Sequence, residues 1–347
     1  MARLFPFALL LALIAVALAW ISPPRGPKTV VVYTSVDPDY ALPLFKRFEE
    51  QTGIEVVYRT DSEADKTTGM LERLRALKDH PDGDVFWNSE QSGTLLLAND
   101  GLLEKYDSPA RASIPGAFKD EAGLWTGFGC RARVLIFNTQ RVKKEEAPRL
   151  VEDLADPKWR GRFCIARPRF GTTRSHFVAL MLALGEEKGF ALLRKLRDNA
   201  GGKPWLVDGN AAVRERVAEG TFDLGLTDTD DVYEAQTQNR PVDLIFIGQT
   251  REYPGVFLVP NTVSILKGGP NRGNAQRFVD FLLQPETEAW LAERGAKQIP
   301  VRAEVPVPAG HPTMESLKPM PYAAAPLGAR LEELSLKIDR IVSGIEK

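Results

Sequence analysis

VVVYTSVDPDYALPLFKRFEEQTGIEVVY, residues 30–58, decides the fold class of this chain. Its first four residues are apolar and mostly β-branched, which is typical of a strand buried on both faces of a sheet. Thr34-Ser35 follows as a candidate helix cap, apolar residues then recur at helical spacing, and Gly53 ends the helix. Residues 54–58 are predicted as the next strand. The stretch is therefore one strand–turn–helix–strand unit.

The same unit recurs along the chain. A helix is predicted over 64–77, and a strand over 84–87 ends at a polar turn that begins another helix. A second series of strands and helices begins at residue 162 and runs to residue 226. Strands that alternate with helices of about 10 to 15 residues indicate parallel sheets covered by helices on both faces.

The length of the chain predicts two lobes, because about 320 residues beyond the N-terminal leader exceed what one hydrophobic core usually serves. We therefore predict an α/β, two-lobed fold of mostly parallel sheets flanked by helices. Crossing hinge strands join the lobes, and the long strand around 125–138 is one candidate. Lobe 1 is predicted to comprise 28–127 plus 250–300, and lobe 2 to comprise 128–249 plus 301–347.

Residues 1–21 form a leader in which an almost uninterrupted apolar run, residues 4–21, follows Arg3, with small residues at Ala17 and Ala19 as in a signal-peptide cleavage site. An uncleaved membrane anchor is the alternative, since about 18 apolar residues approach the roughly 20 needed to cross a bilayer. No cysteine lies near the leader for lipid attachment. The leader predicts export, and we expect a periplasmic protein.

Charge and cysteine content narrow the class of protein. The chain has 45 basic and 46 acidic residues, a near-neutral balance that gives no electrostatic support for nucleic-acid binding. Its two cysteines, Cys130 and Cys164, permit one disulfide in an oxidising compartment. Two buried free thiols are the alternative.

Short motifs spread along nearly the whole chain carry a family resemblance. They are VYTS (32–35), FEEQTGI (48–54), DVFW (84–87), RARV (131–134), GTT (171–173), PNTV (260–263) and FVDFLL (278–283). In these motifs, and in their order and spacing, the chain resembles bacterial ABC-importer solute-binding proteins of the ferric-iron-binding family. The resemblance implies a type II periplasmic binding fold that closes on its cargo, ferric iron with a synergistic anion, and delivers it to a permease at the inner membrane.

One feature departs from that family. Its iron-binding members typically supply two adjacent tyrosines from the second lobe, whereas the seven tyrosines of this chain are all separated. The segment DTDDVY, residues 228–233, stands where the pair is expected. The overall resemblance still makes ferric iron the first expected cargo. A carboxylate-bearing organic solute, an amino acid or another metal complex comes next.

Polar residues follow four predicted strands, at the edge where parallel α/β sheets bind ligands. Helix N-termini at such turns favour anions, although the same residues also serve as ordinary helix caps. The candidates in these turns are Thr34, Ser35, Asn88, Glu90, Thr172, Thr173 and Asn210.

Arg131 and Arg133 lie two residues apart on a predicted strand, so both side chains point to the same face. The family resemblance implies that an arginine of this motif contacts the anion bound beside the metal, and a guanidinium suits a carboxylate or carbonate. An arginine paired with an acid at the hinge is the alternative.

The acidic group Asp228, Asp230 and Asp231 is the most unusual local feature. Like charges at a strand end repel one another unless a cation, an ammonium group or an arginine balances them. Glu63 and Glu90 follow strands of the first lobe and are expected on the opposite wall. An ordinary helix cap with a solvated acidic turn is the alternative, above all for Asp231.

These features predict a solute-binding protein that is not an enzyme. No Ser-His-Asp order, no paired thiol nucleophile and no phosphate-binding Gly-Lys loop is present. An enzyme built on the same two-lobed scaffold is the alternative of another class. We expect no required cofactor, a monomer, and bound ferric iron or another cation with its anion. The candidate metal ligands are Glu90, Asp228, Asp230 and Tyr233.

Overall fold

The structure, a computed structural model, describes residues 28–60, 68–169, 171–250, 252–294, 297–321 and 324–345. The N-terminal leader and Glu63 lie outside the described residues. Within those ranges, none of the helices has the length and apolar character that crossing a membrane requires.

Ten strands of the described residues form one sheet. They are β1 (Thr29–Thr34), β2 (Glu55–Thr60), β3 (Val85–Asn88), β4 (Leu103–Glu104), β5 (Thr126–Asn138), β6 (Phe163–Ala166), β7 (Leu206–Val207), β8 (Leu224–Asp228), β9 (Val242–Phe246) and β10 (Leu258–Leu266). The strand order is β2-β1-β3-β10-β5-β8-β6-β7, with β4 beside β10 and β9 beside β5.

Ten α-helices of the described residues cover the sheet. They are α1 (Pro38–Thr52), α2 (Thr68–Ala76), α3 (Gln91–Asn99), α4 (Gly171–Leu184), α5 (Glu186–Asn199), α6 (Asn210–Ala218), α7 (Thr229–Thr237), α8 (Arg272–Leu282), α9 (Pro285–Glu293) and α10 (Ala324–Val342).

The sheet has two halves that two long strands connect. Strands β2, β1 and β3 pair in parallel and form the first half, and β7, β6 and β8 do the same in the second half. Strands β10 and β5 cross between the halves and pair antiparallel with each other and with their neighbours. The predicted α/β fold class is confirmed, and the crossing strands make the sheet more mixed than the mostly parallel pairing that was predicted.

The first unit follows the sequence pattern closely. Four of the six residues of β1 are buried, and Leu44, Phe45 and Phe48 are buried on the inner face of α1. Gly53 ends α1 in the left-handed conformation, with φ 65°, which glycine adopts without steric cost. Phe48 packs edge-on against Phe278 of α8, with ring centroids 5.0 Å apart. This packing joins α1 and α8 on one face of the first half.

A glycine marks an irregularity in β5 between the two halves. Gly129 has φ 47°, and its backbone N–H donates to Glu288 Oε1 over 2.8 Å. A Cβ atom at this position would lie 2.8 Å from the Gln298 side chain. Asn261 Nδ2 donates to the Gly129 carbonyl over 2.7 Å, beside the register shift of β10 at Pro260/Asn261. Both crossing strands are therefore irregular at the same place.

The two cysteines are buried free thiols, not a disulfide. Cys130 lies in the part of β5 that pairs with β10, whereas Cys164 lies in β6. Strand β8 separates β5 from β6, and two strand spacings amount to roughly 10 Å. A disulfide needs Cα atoms within about 7 Å, so this topology keeps the thiols apart.

Candidate functional site

A cavity of about 670 Å³ opens where strands of both sheet halves end. Its wall includes the turns after β1 and β3 from the first half, and the turns after β6, β7 and β8 from the second. The lining side chains that bear charge are Asp37, Asp39, Glu90, Arg131, Arg167, Asp208, Arg214, Asp228, Asp230, Asp231 and Glu234. In open α/β sheets, ligands bind in the crevice outside the carboxyl ends of the strands, which is where this cavity lies.

Arg133 organises the inner wall of the second half. Its Nη1 atom lies 2.9 Å from Asp228 Oδ1, and both side chains are buried. The same nitrogen lies 3.2 Å from Thr172 Oγ1, and Nη2 donates to Thr173 Oγ1 over 3.3 Å. Asn210 Oδ1 is 3.1 Å from Nη1. Arg133 is therefore the structural centre of this wall and is committed to protein groups.

Asn210 and Thr172 complete this network. Asn210 Nδ2 donates to Asp228 Oδ2 over 3.0 Å and to Thr172 Oγ1 over 2.9 Å. Thr172 and Asn210 lie in the first turns of α4 and α6, and both line the cavity together with Thr173. The N-termini of two helices are thus aimed at one end of the cavity, where they favour negative charge.

Arg131 reaches across the cavity floor. Its Nη1 atom donates to Asp230 Oδ2 over 3.0 Å and lies 3.5 Å from Asp228 Oδ2. Its Nη2 atom donates to the Ser89 carbonyl of the first half over 2.6 Å. Burial lowers the pKa of Arg131, but Asp230 and Asp228 more than offset this, so the net shift is upward. Arg131 thus carries a permanent positive charge between the two halves.

Three carboxylates stand at the end of β8 and the start of α7. Asp228, Asp230 and Asp231 each offer an oxygen, and these oxygens lie within 4.8 Å of one another. Burial raises the pKa of Asp230, with repulsion from Asp228 adding to the effect and attraction by Arg131 opposing it. Asp230 Oδ1 is buried without a hydrogen-bond partner among the described residues. A buried acceptor without a partner is uncommon in a folded protein, so this oxygen is a candidate contact for a ligand.

Asp231 is the third residue of α7 and belongs to the capping box that begins this helix, in which Asp228 is the N-cap. Its Oδ2 atom accepts from the Asp228 backbone N–H over 3.4 Å and from Thr227 Oγ1 over 2.5 Å. Burial and the neighbouring charges of Asp230 and Asp228 raise its pKa to about 7. A cation near this group would draw off its proton, because an opposite charge favours the ionised form.

The turns of the first half divide into residues that line the cavity and residues behind it. Ser35 lines the cavity, donates to Asn88 Oδ1, and lies 3.1 Å from Ser89 Oγ. Asn88 is itself fully buried at the end of β3. Thr34 accepts from the Val36 backbone N–H over 3.1 Å and does not line the cavity. Thr34 and Asn88 therefore support the wall instead of forming its surface.

Glu90 is committed to helix capping. Its oxygens accept from the backbone N–H groups of Ser92 and Gly93 over 2.7 and 3.2 Å. Ser175 of the second half also donates to Glu90 Oε2, over 3.2 Å. Glu90 lines the cavity but is only 3% exposed.

Tyr233 is placed away from the other candidate ligands. Asp228, Asp230, Asp231 and Glu234 line the cavity, whereas Tyr233 faces another side of α7, with Lys297 Nζ 4.8 Å from its ring centroid. Burial, and then Asp243, raise the pKa of its phenol. Tyr233 is therefore not brought together with Asp228 and Asp230.

His176 also lies away from the cavity surface. It is buried and stacks on Phe257, with ring centroids 5.7 Å apart. Burial, with a smaller contribution from Arg133, lowers the pKa of the imidazole to about 3. Its ring is therefore neutral at ordinary pH and acts in packing.

Several lining residues were not predicted from the sequence. Asp37, Asp39 and Tyr40 lie at the start of α1, directly after the predicted Thr34-Ser35 turn. Their acidic, Pro-containing turn was a usable signal, because it follows a strand end as the other candidates do. Arg167, Arg214 and Glu234 also line the cavity, and no local pattern in the sequence distinguishes them from ordinary surface charges.

Comparison with known proteins identifies the family. A family model described as bacterial extracellular solute-binding protein matches residues 94–323. The chain belongs to this family. Such proteins are the substrate-capturing components of ABC importers and are not enzymes, so the predicted family and class of function are confirmed.

Individual relatives agree with this assignment. This chain is 30% identical over 276 residues to iron uptake protein A1 of Synechocystis sp., and the match covers 76% of this chain and 73% of the relative. It is 25% identical over 324 residues to the major ferric iron-binding protein of Neisseria meningitidis, covering 91% of each chain. The crystal structure of iron-bound HitA from Pseudomonas aeruginosa has the same fold, with a TM-score of 0.79 at 22% identity, over 90% of this chain and 99% of that one.

Proposed function

We propose that this protein is the periplasmic substrate-binding component of an ABC importer and that it captures ferric iron, or an iron–anion complex, in the described cavity. The protein acts as a monomer and hands its cargo to a permease at the inner membrane. Two relatives named for iron uptake and ferric-iron binding support iron as the cargo.

The charge of the cavity is the observation that carries this proposal. Eight acidic side chains and three arginines line it, so the wall has an excess of negative charge. An uncompensated group of carboxylates is costly unless a cation balances it. The cavity therefore favours a cargo with a positively charged centre over a purely anionic solute.

The carboxylates at the start of α7 are the proposed seat for the metal. Asp230 Oδ1 is a buried oxygen without a hydrogen-bond partner among the described residues, and Asp228 and Asp231 lie close enough to contribute. Carboxylate oxygens suit hard cations. Tyr40 is the single tyrosine among the described lining residues, and it offers a phenol oxygen on the opposite wall. Glu90 is less suited to ligation because its oxygens already accept several hydrogen bonds.

The anion that accompanies the metal is proposed to lie between Arg131 and the N-termini of α4 and α6. Arg131 is 13% exposed and reaches the cavity, whereas Arg133 is 1% exposed and its Nη1 and Nη2 atoms are bound to protein groups. Thr172, Thr173 and Asn210 offer polar groups at the same wall. Arg131 is thus the proposed anion contact, and Arg133 holds the wall in place.

Hinge closure completes the proposal. The predicted lobes, 28–127 plus 250–300 and 128–249 plus 301–347, are proposed to move as units about the crossing strands. The two parallel strand sets and the paired irregularities at Gly129 and Asn261 support this division. The C-terminal helix α10 packs on elements of both sheet halves, which limits how far they separate.

A binding experiment on metal-free protein tests the proposal. Apo protein is titrated with ferric citrate, ferric iron plus bicarbonate, divalent metals, amino acids and polyols, and the thermal shift and bound metal are measured. We expect stabilisation by a ferric complex with one iron per chain, because a ligand that binds only the native state raises stability. Stabilisation by an organic solute with no response to ferric complexes would overturn the iron assignment but not the family.

A further inference from the structure

A buried contact between the two sheet halves involves a residue that the sequence indicated as a metal ligand. Glu90 follows β3 of the first half and is the N-cap of α3. Its carboxylate accepts from Ser92 N over 2.7 Å, Gly93 N over 3.2 Å and Ser92 Oγ over 2.5 Å. The α3 N-terminus thus fixes the position of the Glu90 side chain.

The second half reaches this carboxylate through α4. Ser175 Oγ donates to Glu90 Oε2 over 3.2 Å, and Arg174 Nη2 donates to Ser92 Oγ over 2.9 Å. Ser175 is 1% exposed and Arg174 is 9% exposed. The charges of Glu90 and Arg174 are opposite and both are buried, so each offsets part of the cost of burying the other. The halves are therefore joined here by two hydrogen bonds and an attraction between charges.

The helix α10 covers the same junction. It packs on α3 of the first half and on α4 and α5 of the second. Arg75 of α2 donates to Glu332 of α10 over 3.1 Å, and Arg330 of α10 donates to Glu186 of α5 over 2.7 Å. The buried contact at Glu90 and the outer contacts of α10 therefore bridge the two halves at adjacent places.

We propose that Glu90, Ser92, Arg174 and Ser175 form a latch, here called the Glu90 latch, that holds the two halves together around bound cargo. In this assignment Glu90 is a positioning residue that controls closure and does not ligate the cargo. This inference rests on the proposed function in one respect: the two halves must close around a cargo and retain it.

Three test substitutions, Ser175→Ala, Glu90→Asp and Glu90→Gln, and one control separate a latch from a ligand. Ser175→Ala removes the hydroxyl that crosses between the halves and leaves the Glu90 carboxylate intact. Glu90→Asp keeps the charge and a good N-cap residue for α3, but the side chain is one methylene shorter. Ser264→Ala is the matched control, because Ser264 Oγ is buried and donates to Phe86 O over 3.4 Å within the first half.

The measured quantities are the rate at which ferric citrate-loaded protein loses iron to a chelator, the iron content, and the radius of gyration by X-ray scattering. We expect Ser175→Ala and Glu90→Asp to speed iron loss by about three- to tenfold, which is the net effect of one hydrogen bond. We expect unchanged iron content, a larger radius of gyration, and no change in Ser264→Ala.

Two results would overturn the latch. One is a Ser175→Ala protein that releases iron and scatters as the wild type does. The other is loss of iron binding in Glu90→Gln without any effect of Ser175→Ala, which would make Glu90 a ligand. If wild-type protein does not bind ferric citrate, the proposal that iron is the cargo fails, but the latch can still be tested. The test is then X-ray scattering of the cargo-free wild-type and Ser175→Ala proteins. A Ser175→Ala protein more extended than the wild type then supports the latch, and equal dimensions refute it.

Discussion

The guanidinium of Arg133 lies 2.9 Å from Asp228 Oδ1, and the two side chains are 1% and 0% exposed. The pair lies at the inner wall of the cavity, which Asp228 lines and Arg133 does not, and Thr172, Thr173 and Asn210 are hydrogen-bonded to it. Two predicted ligand residues therefore bind each other. A buried ion pair contributes little net stability relative to apolar residues, but removal of one partner leaves an uncompensated charge.

Asp228→Asn is expected to destabilise the protein by about 3–5 kcal/mol, because Arg133 would stay buried without its counter-charge. Urea denaturation monitored by circular dichroism measures the change. Asp198→Asn is the control, since Asp198 is 68% exposed and its pair with Arg197 lies at the surface. An Asp228→Asn protein as stable as the wild type would show that Arg133 is compensated in another way.

Asp230→Asn is expected to weaken binding of ferric citrate by at least tenfold while changing stability by less than about 1 kcal/mol. Asp230 Oδ1 is buried and has no hydrogen-bond partner among the described residues, and the side chain as a whole is 22% exposed. Calorimetric titration gives the affinity and thermal unfolding gives the stability. Asp208→Asn tests the same charge change on the cavity rim, where the side chain is 94% exposed. If Asp208→Asn weakens binding of ferric citrate as much as Asp230→Asn does, the overall negative charge of the cavity governs binding, and Asp230 is not a specific ligand.

The fold was predictable because the apolar segments of the sequence coincide with strands and helices, and the polar turns coincide with the connections between them. Residues 30–58 form β1, α1 and β2 as the pattern predicts. The turns at strand ends also located the cavity, since Ser35, Glu90, Thr172, Asn210 and Asp228 all line it.

Which of the candidate residues reach the cavity and which lie elsewhere was not predictable from the sequence. Arg131 and Arg133 share one face of β5, yet only their contacts show that Arg131 reaches the cavity and Arg133 does not. The helix α7 likewise directs Asp230 inward and Tyr233 to another side. The Arg131–Asp230 and Arg133–Asp228 contacts join segments 99 and 95 residues apart in the sequence, and local patterns do not specify such contacts.

The two cysteines are expected to stay reduced in the exported protein. Burial raises the pKa of the Cys164 thiol to about 12 and that of the Cys130 thiol well above its ordinary value, so neither forms thiolate at neutral pH. Native protein is therefore expected to resist iodoacetamide, whereas denatured, unreduced protein takes up two equivalents by mass spectrometry. Failure of the denatured protein to react without a reductant would reveal a disulfide.

His176 is expected to make the protein sensitive to acid. Its pKa is about 3 in the folded state because of burial and the nearby Arg133, and about 6.5 in the unfolded chain. Between these values the unfolded chain binds more protons, so stability falls as pH decreases from about 6.5 towards 3. The loss is at most about 5 kcal/mol, since each pKa unit corresponds to about 1.4 kcal/mol.

His176→Phe keeps an aromatic ring against Phe257 and removes the titrating group. Denaturant unfolding at pH 4.5 and 7 is expected to show a smaller loss of stability in His176→Phe than in wild type. The raised pKa values of Asp230 and Asp231 act in the opposite direction, but they are common to both proteins and cancel in the comparison. His80→Phe, at an exposed position, is the control and should follow the wild type. An equal loss in His176→Phe and wild type would show that His176 accepts a proton in the folded state as readily as in the unfolded chain.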